Sequence, residues 1–211
     1  ALLPRGGRRW FLAAGEAAEA AARLGNDGDL HRAVDELCDV SSAGQLTAPH
    51  LVALTRAACV LMQAGNYPSA DDLLRTIDAA YEHSRKQPGR AEPRQDEDPL
   101  AVAHVYRTRA YRAHVGGDAA SALWLYNVAI GNFEQAGDTR AACRYLVSAA
   151  AACIELGAYT DAERALNDAL SSAERMGRQG VAASAWHHMG MLRARLGDTQ
   201  AAVQREDAAL E

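Results

Sequence analysis

Apolar residues recur along the chain at helical spacing, and glycine and polar residues interrupt each apolar stretch. The recurring pattern is a helix, a glycine, two to four turn-forming or polar residues, and then an alanine five positions after the glycine, which opens a second amphipathic helix. The pattern occurs five times, at Gly28 and Ala33, Gly65 and Ala70, Gly117 and Ala122, Gly157 and Ala162, and Gly197 and Ala202. Successive glycines lie 37, 52, 40 and 40 residues apart. The sequence therefore contains an internal repeat of about 40 residues.

Each part of this motif has a physical role. Glycine adopts the left-handed backbone conformation that ends a helix, and a small alanine lets the two helices of a hairpin approach closely. Apolar residues nine and twelve positions after the glycine continue one buried stripe. The pattern predicts an all-α chain of about five helical hairpins, each of which buries its apolar stripe only by stacking on its neighbours.

The repeat also predicts the organisation of the chain. We expect hairpins at residues 8–42, 49–86, 100–136, 140–176 and 180–211, in a single array over residues 1–211. The widest spacing falls on a polar stretch with three prolines, which predicts a loop insertion at 87–99, either a tolerated insertion or a docking segment. Because the chain begins at Ala1 and its last helical pattern runs to Glu211, we expect a fragment of a longer protein.

The last unit resembles a tetratricopeptide (TPR) repeat. The TPR pattern has an aromatic residue, Leu-Gly, a glycine before the turn, and an alanine after it. Trp186, Met189-Gly190, Gly197 and Ala202 occupy the corresponding positions. The resemblance implies a right-handed α-α superhelix, a TPR-like solenoid. A HEAT-like helical array is the structural alternative, although it does not explain the recurring spacing from glycine to alanine.

The other units depart from the TPR pattern, and the proline that ends a TPR repeat is missing throughout the chain. Alanine stands at the first glycine position of the pattern, as Ala21, Ala58, Ala110 and Ala150. The period of about 40 also exceeds the usual value of roughly 34 residues. In these departures the chain is similar to a longer-period bacterial variant, as in MalT-like regulators and the C-terminal region of large Ser/Thr kinase-NTPase signalling proteins.

Charge and hydropathy restrict the partners. The chain carries 22 Lys and Arg against 27 Asp and Glu, a formal net charge of −5. It has no overall basic field to attract nucleic acid or an anionic membrane. No apolar run reaches the roughly 18 to 20 residues of a membrane span. We therefore expect a cytoplasmic protein that binds neither nucleic acid nor membrane.

The sequence shows no motif for catalysis or for cofactor binding. It lacks the phosphate-binding motifs GxxxxGK[ST] and GxGxxG, the nucleophile motif GxSxG and the zinc motif HExxH. His187 and His188 are adjacent, so they point about 100° apart on a helix, and His104 and His114 lie about 15 Å apart along one. We expect no catalytic residue, no cofactor and no metal.

The TPR resemblance implies a concave face lined by the first helix of each hairpin, at positions 13, 10, 6, 3 and 2 before the motif glycine. The first half of this face, from the first two hairpins, is small and uncharged. The candidate ligand-binding residues are His104, Arg107, Tyr111, His114, Arg144, His187 and Met191. Such side chains form charge-assisted hydrogen bonds and aromatic or thioether contacts with an acidic or amphipathic segment. The alternative is an arginine-rich, solvated surface without a ligand.

Three functions follow from this surface. The first is a non-catalytic module that binds a protein or peptide within a larger bacterial signalling protein. The second is a sensor of a small-molecule effector, coupled to a kinase or a transcriptional regulator. The third is a structural spacer or self-assembly element, which forms a homodimer through its terminal repeats.

Overall fold

The computed structural model describes residues 3–41, 46–85 and 98–210. These residues form ten α-helices and no β-strand. The helices are α1 (Arg8–Arg23), α2 (Asp27–Ser41), α3 (Ala48–Gln63), α4 (Tyr67–Arg85), α5 (Pro99–Val115), α6 (Ala119–Gln135), α7 (Thr139–Glu155), α8 (Tyr159–Arg175), α9 (Gln179–Arg195) and α10 (Thr199–Leu210). Four pairs of consecutive helices pack together, namely α1 with α2, α3 with α4, α7 with α8 and α9 with α10, and the His114 ring of α5 contacts the Tyr126 ring of α6. The all-α architecture of helical hairpins is thus confirmed for this part of the chain.

Residues 87–97 of the insertion expected at 87–99 lie outside the described residues. Its last residue, Pro99, is instead the first residue of α5. A proline is tolerated there because the first turn of a helix needs no backbone donor at that position.

Glycine ends the first helix of every hairpin. Gly65, Gly117, Gly157 and Gly197 have φ values of 78°, 80°, 76° and 82°, in the left-handed region that favours glycine. In these four hairpins the predicted turn is confirmed. In the first hairpin the prediction is wrong, because the turn glycine is Gly25, with φ 66°, and Gly28 lies inside α2.

The side chain of Asn26 explains the early start of α2. Its Oδ1 accepts a hydrogen bond from the backbone N–H of Asp29 at 3.1 Å, which caps the helix before Gly28 is reached. Measured from Gly25, the residue five positions later is the buried Leu30, whereas Ala33 is only half-buried. Leu30 therefore occupies the place held elsewhere by Ala70, Ala122, Ala162 and Ala202, all of them buried.

The change of turn glycine from Gly28 to Gly25 also moves the small residue on the first helix by three positions. The small residue seven positions before the turn glycine is the fully buried Ala18, and not Ala21. The distance from Gly25 to Gly65 becomes 40 residues, which equals the spacing of the last three turn glycines.

The chain divides into two compact units, residues 1–108 (unit 1) and 109–211 (unit 2). In unit 1, α1 packs against α2 and α3, and α3 packs against α4. The part of α5 that belongs to this unit is held on α3, where the Thr108 hydroxyl donates to the Thr55 carbonyl at 3.3 Å. Large apolar side chains such as Leu37, Leu54 and Ile77 are fully buried.

In unit 2, α7 packs against α6, α8 and α9, and α9 packs against α8 and α10. Tyr145 of α7 stacks nearly parallel on two rings of α6, with centroids 6.2 Å from Tyr126 and 5.4 Å from Phe133. The direct contact of α7 with α9 joins the first helices of neighbouring hairpins. Their exposed residues therefore share one surface.

Candidate functional site

The seven candidate residues all lie on first helices, namely α5, α7 and α9. They are divided between the two units. His104 and Arg107 belong to unit 1, and Tyr111, His114, Arg144, His187 and Met191 belong to unit 2. One groove that contains all seven stays a prediction.

In unit 1, His104 and Arg107 form a hydrogen-bonded pair. Arg107 Nη2 donates to His104 Nδ1 at 3.3 Å. Burial, and then the positive charges of Arg107 and Arg56, lower the pKa of His104 to about 3. His104 is therefore neutral near pH 7, and its Nδ1 acts as an acceptor that fixes the arginine.

Arg56 of α3 is the centre of a charged cluster in unit 1. Its guanidinium lies 2.7 Å from Glu16 Oε1 and 2.8 Å from Glu19 Oε1, both on α1. Burial alone would lower the pKa of Arg56, but hydrogen bonds and charge from the two carboxylates raise it. The first half of the predicted face therefore includes charged side chains, contrary to the sequence prediction.

The wrong turn glycine caused this error. With Gly28 as the reference, Glu19 is not one of the positions assigned to the face. With Gly25 as the reference, Glu19 stands six residues before the turn, in the position of Cys59 and Tyr111. The Asn26 cap, which precedes Gly28 in the sequence, was the signal that could have corrected the register.

In unit 2, two histidines contact carboxylates from neighbouring helices. His114 Nε2 lies 3.7 Å from Glu155 Oε1, and His187 Nδ1 lies 2.9 Å from Glu206 Oε2. The Nδ1 of His114 is buried and has no hydrogen-bond partner among the described residues. These contacts connect α5 with α7 and α9 with α10.

His188 belongs to the same region, although it was not predicted as a site residue. Burial lowers its pKa, and the nearby His187 and His114 lower it further, against the opposing effects of a backbone hydrogen bond and Glu206. His188 Nδ1 lies 2.7 Å from the Ser184 carbonyl oxygen, so this nitrogen carries the proton and donates. The residue pattern does not predict that His188 is buried, because its burial depends on how α9 packs against neighbouring helices.

Arg144 lines a pocket of about 610 Å³ in unit 2, which we call the α7–α9 pocket. Val147 of α7 contributes to the wall, and α9 and the turn before it supply the rest. The complete lining is Arg144, Val147, Gly177, Arg178, Gln179, Gly180, Val181 and Ser184. Arg144, Val147 and Ser184 stand at positions that the sequence assigned to the face, whereas Arg178 was not predicted.

The remaining two candidates lie elsewhere in unit 2. Met191 is on α9, four residues after His187, and 39% of it is exposed. Tyr111 is half-buried on α5. Neither of them lines the α7–α9 pocket.

Within residues 3–41, 46–85 and 98–210, no group of three or more His, Cys, Asp or Glu side chains is arranged to hold a metal ion. No helix in the described part of the chain has the length and apolar character needed to cross a bilayer.

Neither a protein-family model nor a curated protein matches this sequence. Solved structures do resemble the fold. The apo form of RapI aligns with a TM-score of 0.64 at 15% identity, over 96% of this chain and 53% of RapI. This chain thus spans about half the length of RapI.

Two crystal structures of the putative kinesin light chain nearly identical TPR-like repeats of Podosopora anserina, one of them a variant, are also similar. Their TM-scores are 0.62 and 0.60 at 15% identity. The alignments cover 96% and 97% of this chain and 93% and 95% of those chains. The likeness to MalT-like and kinase-associated repeats stays a prediction. The fold of this chain is that of a TPR-like helical-repeat protein.

Proposed function

We propose that this chain is a non-catalytic protein-interaction module of a larger bacterial signalling protein, and that its first helices bind a peptide or protein segment. One observation carries this proposal. Arg144 and Ser184 stand thirteen residues before the turn glycines of successive hairpins, and both line the α7–α9 pocket. Equivalent positions of neighbouring repeats thus combine into one accessible surface, which suits an extended segment of a partner.

The chemistry of the same helices supports this function. The exposed Met191 offers a polarisable, adaptable contact, and the exposed Arg144 offers a planar donor for carboxylates. His187 adds a partly exposed ring beside Glu206. Apolar and charged groups on one face favour a protein partner, because such partners combine both kinds of contact.

Site-specific photo-crosslinking in cells tests the proposal. A photo-reactive amino acid replaces Met191 on the first helix α9, and the matched control replaces Asp168, which is exposed on the second helix α8. We expect a defined protein crosslink from position 191 that is absent or much weaker from position 168.

Two results contradict the proposal. Equal crosslinking from both positions places recognition outside the first helices. No crosslink at all, together with a mass in light scattering that rises to that of a dimer with concentration, favours the spacer or self-assembly function.

A small-molecule sensor is the second candidate, and the volume of the α7–α9 pocket favours it. A cavity of about 610 Å³ falls within the range of roughly 300 to 1,000 Å³ that is typical of small-ligand sites. A ligand that binds only the native state raises the melting temperature. A metabolite that raises it for the native chain, but not for Arg144→Gln, supports sensing.

A further inference from the structure

We propose that the α7–α9 pocket binds a carboxylate group of an acidic peptide, with Arg144 and Arg178 as the two guanidinium donors. This inference rests on the proposed interaction function and specifies the chemistry of its partner. The two arginines come from different elements. Arg144 is in the second turn of α7, and Arg178 immediately precedes α9.

The charge of the pocket is the first argument. Two of its lining residues are arginines, and none of the described residues that line it is acidic. The chain as a whole has a net charge of −5, so this concentration of positive charge is local. A positive site on a negatively charged protein selects a compact anionic group and disfavours a long polyanion such as nucleic acid.

The pairing of the arginines is the second argument. In the same unit, Arg164 pairs with Asp161, and Arg193 pairs with Glu163. Neither Arg144 nor Arg178 forms an ion pair with an acidic residue in the described part of the chain. Their donors thus remain available for a carboxylate from outside.

The start of α9 supports the same assignment. An aspartate precedes α6, α7 and α10, and in α7 the Asp138 carboxylate accepts from the Ala141 N–H at 3.0 Å. In α9 this position carries Arg178, which provides no side-chain cap. The partial positive charge at the start of the helix therefore adds to the field of the two guanidinium groups.

The rest of the lining favours a peptide over a free anion. Val147 and Val181 are buried apolar residues of the wall, and Gln179 and Ser184 offer polar side chains. A segment that places one Asp or Glu side chain between the arginines can contact this apolar wall with its neighbouring residues. Arginine pairs with carboxylates through two parallel hydrogen bonds, which fixes the orientation of the group.

Fluorescence anisotropy of the full chain tests the inference. The probe is a fluorescein-labelled, C-terminally amidated peptide of alternating Glu and Leu, and its control carries Gln in place of every Glu. We expect the Glu peptide to bind at least about tenfold more tightly than the Gln peptide. Arg144→Gln and Arg178→Gln should each weaken it by about tenfold, the effect of losing one charge-assisted hydrogen bond.

Arg164→Gln is the matched control variant. It removes the same charge from the exposed face of α8, outside the pocket, and should change the affinity by less than about twofold. Circular dichroism and the melting temperature confirm that each variant is folded. Equal losses in all three variants indicate unspecific attraction and overturn the inference, as does equal binding of the Glu and Gln peptides.

Competition separates the two sources of an anion. Millimolar inorganic phosphate that displaces the Glu peptide completely assigns the pocket to a free anion, which overturns the peptide assignment. The crosslink from position 191 tests the proposed function separately from the pocket. A crosslink from position 191 that persists in the Arg144→Gln and Arg178→Gln variants retains the interaction function and removes the pocket from it.

Discussion

Gly190 of α9 lies directly against the side chain of Glu206 of α10. A methyl group on Gly190 would lie 2.7 Å from Glu206 Oε1 and 3.1 Å from Glu206 Cγ. The other carboxylate oxygen of Glu206 lies 2.9 Å from His187 Nδ1. The missing side chain of Gly190 thus makes room for the carboxylate that contacts His187.

Both residues differ from their equivalents in the other hairpins. The position of Gly190 holds alanine in the first four hairpins, as Ala18, Ala58, Ala110 and Ala150. The position of Glu206, nine residues after the turn glycine, holds the apolar residues Val34, Leu74, Tyr126 and Leu166. The last hairpin therefore combines a smaller residue on α9 with a charged residue on α10.

A double-mutant cycle measures this relationship. Alanine has a helix propensity about 1 kcal/mol better than glycine, but in the native chain Gly190→Ala must displace Glu206. In a Glu206→Ala background the three nearest atoms are gone, so the same change should raise the free energy of unfolding by about 0.5 to 1 kcal/mol more. Urea denaturation of the four proteins gives the coupling. Equal effects of Gly190→Ala in both backgrounds would show that the close approach carries no energy.

The two glycines near the first turn provide a matched pair of substitutions. Gly25 has a φ of 66°, which costs an alanine roughly 1 to 2 kcal/mol, whereas Gly28 is helical and an added methyl group meets only Asn26 Oδ1 at 3.7 Å. We expect Gly25→Ala to lower the free energy of unfolding by about 1 kcal/mol. Gly28→Ala should leave it unchanged or raise it by up to about 1 kcal/mol. The opposite order in urea denaturation would restore Gly28 as the turn residue.

The fold was predictable because the same helix-turn-helix motif recurs several times along the sequence. Four of the five turn glycines are followed by an alanine five residues later, and each of these glycines has a left-handed backbone conformation. The error in the first hairpin arose because Gly28 and Ala33 also satisfy the spacing of the motif. A single glycine-to-alanine distance does not distinguish the turn between two helices from the first turn of the second helix, whereas the capping residue Asn26 does.

The site was predictable only as far as one helix determines it. Helical register places Arg144 and Ser184 on equivalent faces, and the structure brings both to one pocket. The partners of Arg56 and the burial of His188 depend on how neighbouring helices pack. The periodicity of a single helix contains no information about those contacts.

The aromatic stack between α6 and α7 should contribute strongly to the stability of unit 2. Phe133 is fully buried, and its ring lies 5.4 Å from that of Tyr145. We expect Phe133→Ala to lower the free energy of unfolding by about 3 to 5 kcal/mol, and Phe133→Leu by less than about 1.5 kcal/mol.

Trp124 on the same helix is the control for this prediction. It is 59% exposed, so Trp124→Ala should cost much less than Phe133→Ala despite the greater loss of volume. Both are measured by urea denaturation with circular dichroism at the same protein concentration. Similar losses in the two alanine variants would mean that burial at Phe133 does not determine stability.

His104 should make the stability of the chain depend on pH. Burial and the charges of Arg107 and Arg56 lower its folded-state pKa to about 3, whereas an unfolded histidine has a pKa of about 6.5. Between these values the unfolded chain binds a proton that the native chain does not. The contribution of His104 is therefore complete above about pH 6.5 and is lost as the pH falls towards 3, with a slope of at most about 1.4 kcal/mol per pH unit.

Replacing the imidazole isolates this effect. His104→Gln cannot titrate but keeps a polar group beside Arg107, so its free energy of unfolding should fall less steeply between about pH 6.5 and pH 5 than that of the native chain. Other groups titrate in both proteins, so the difference between the two slopes belongs to His104. If His104→Gln and the native chain lose stability in parallel, His104 accepts its proton in the folded state as easily as in the unfolded one, and neither burial nor the charges of Arg107 and Arg56 hold it neutral.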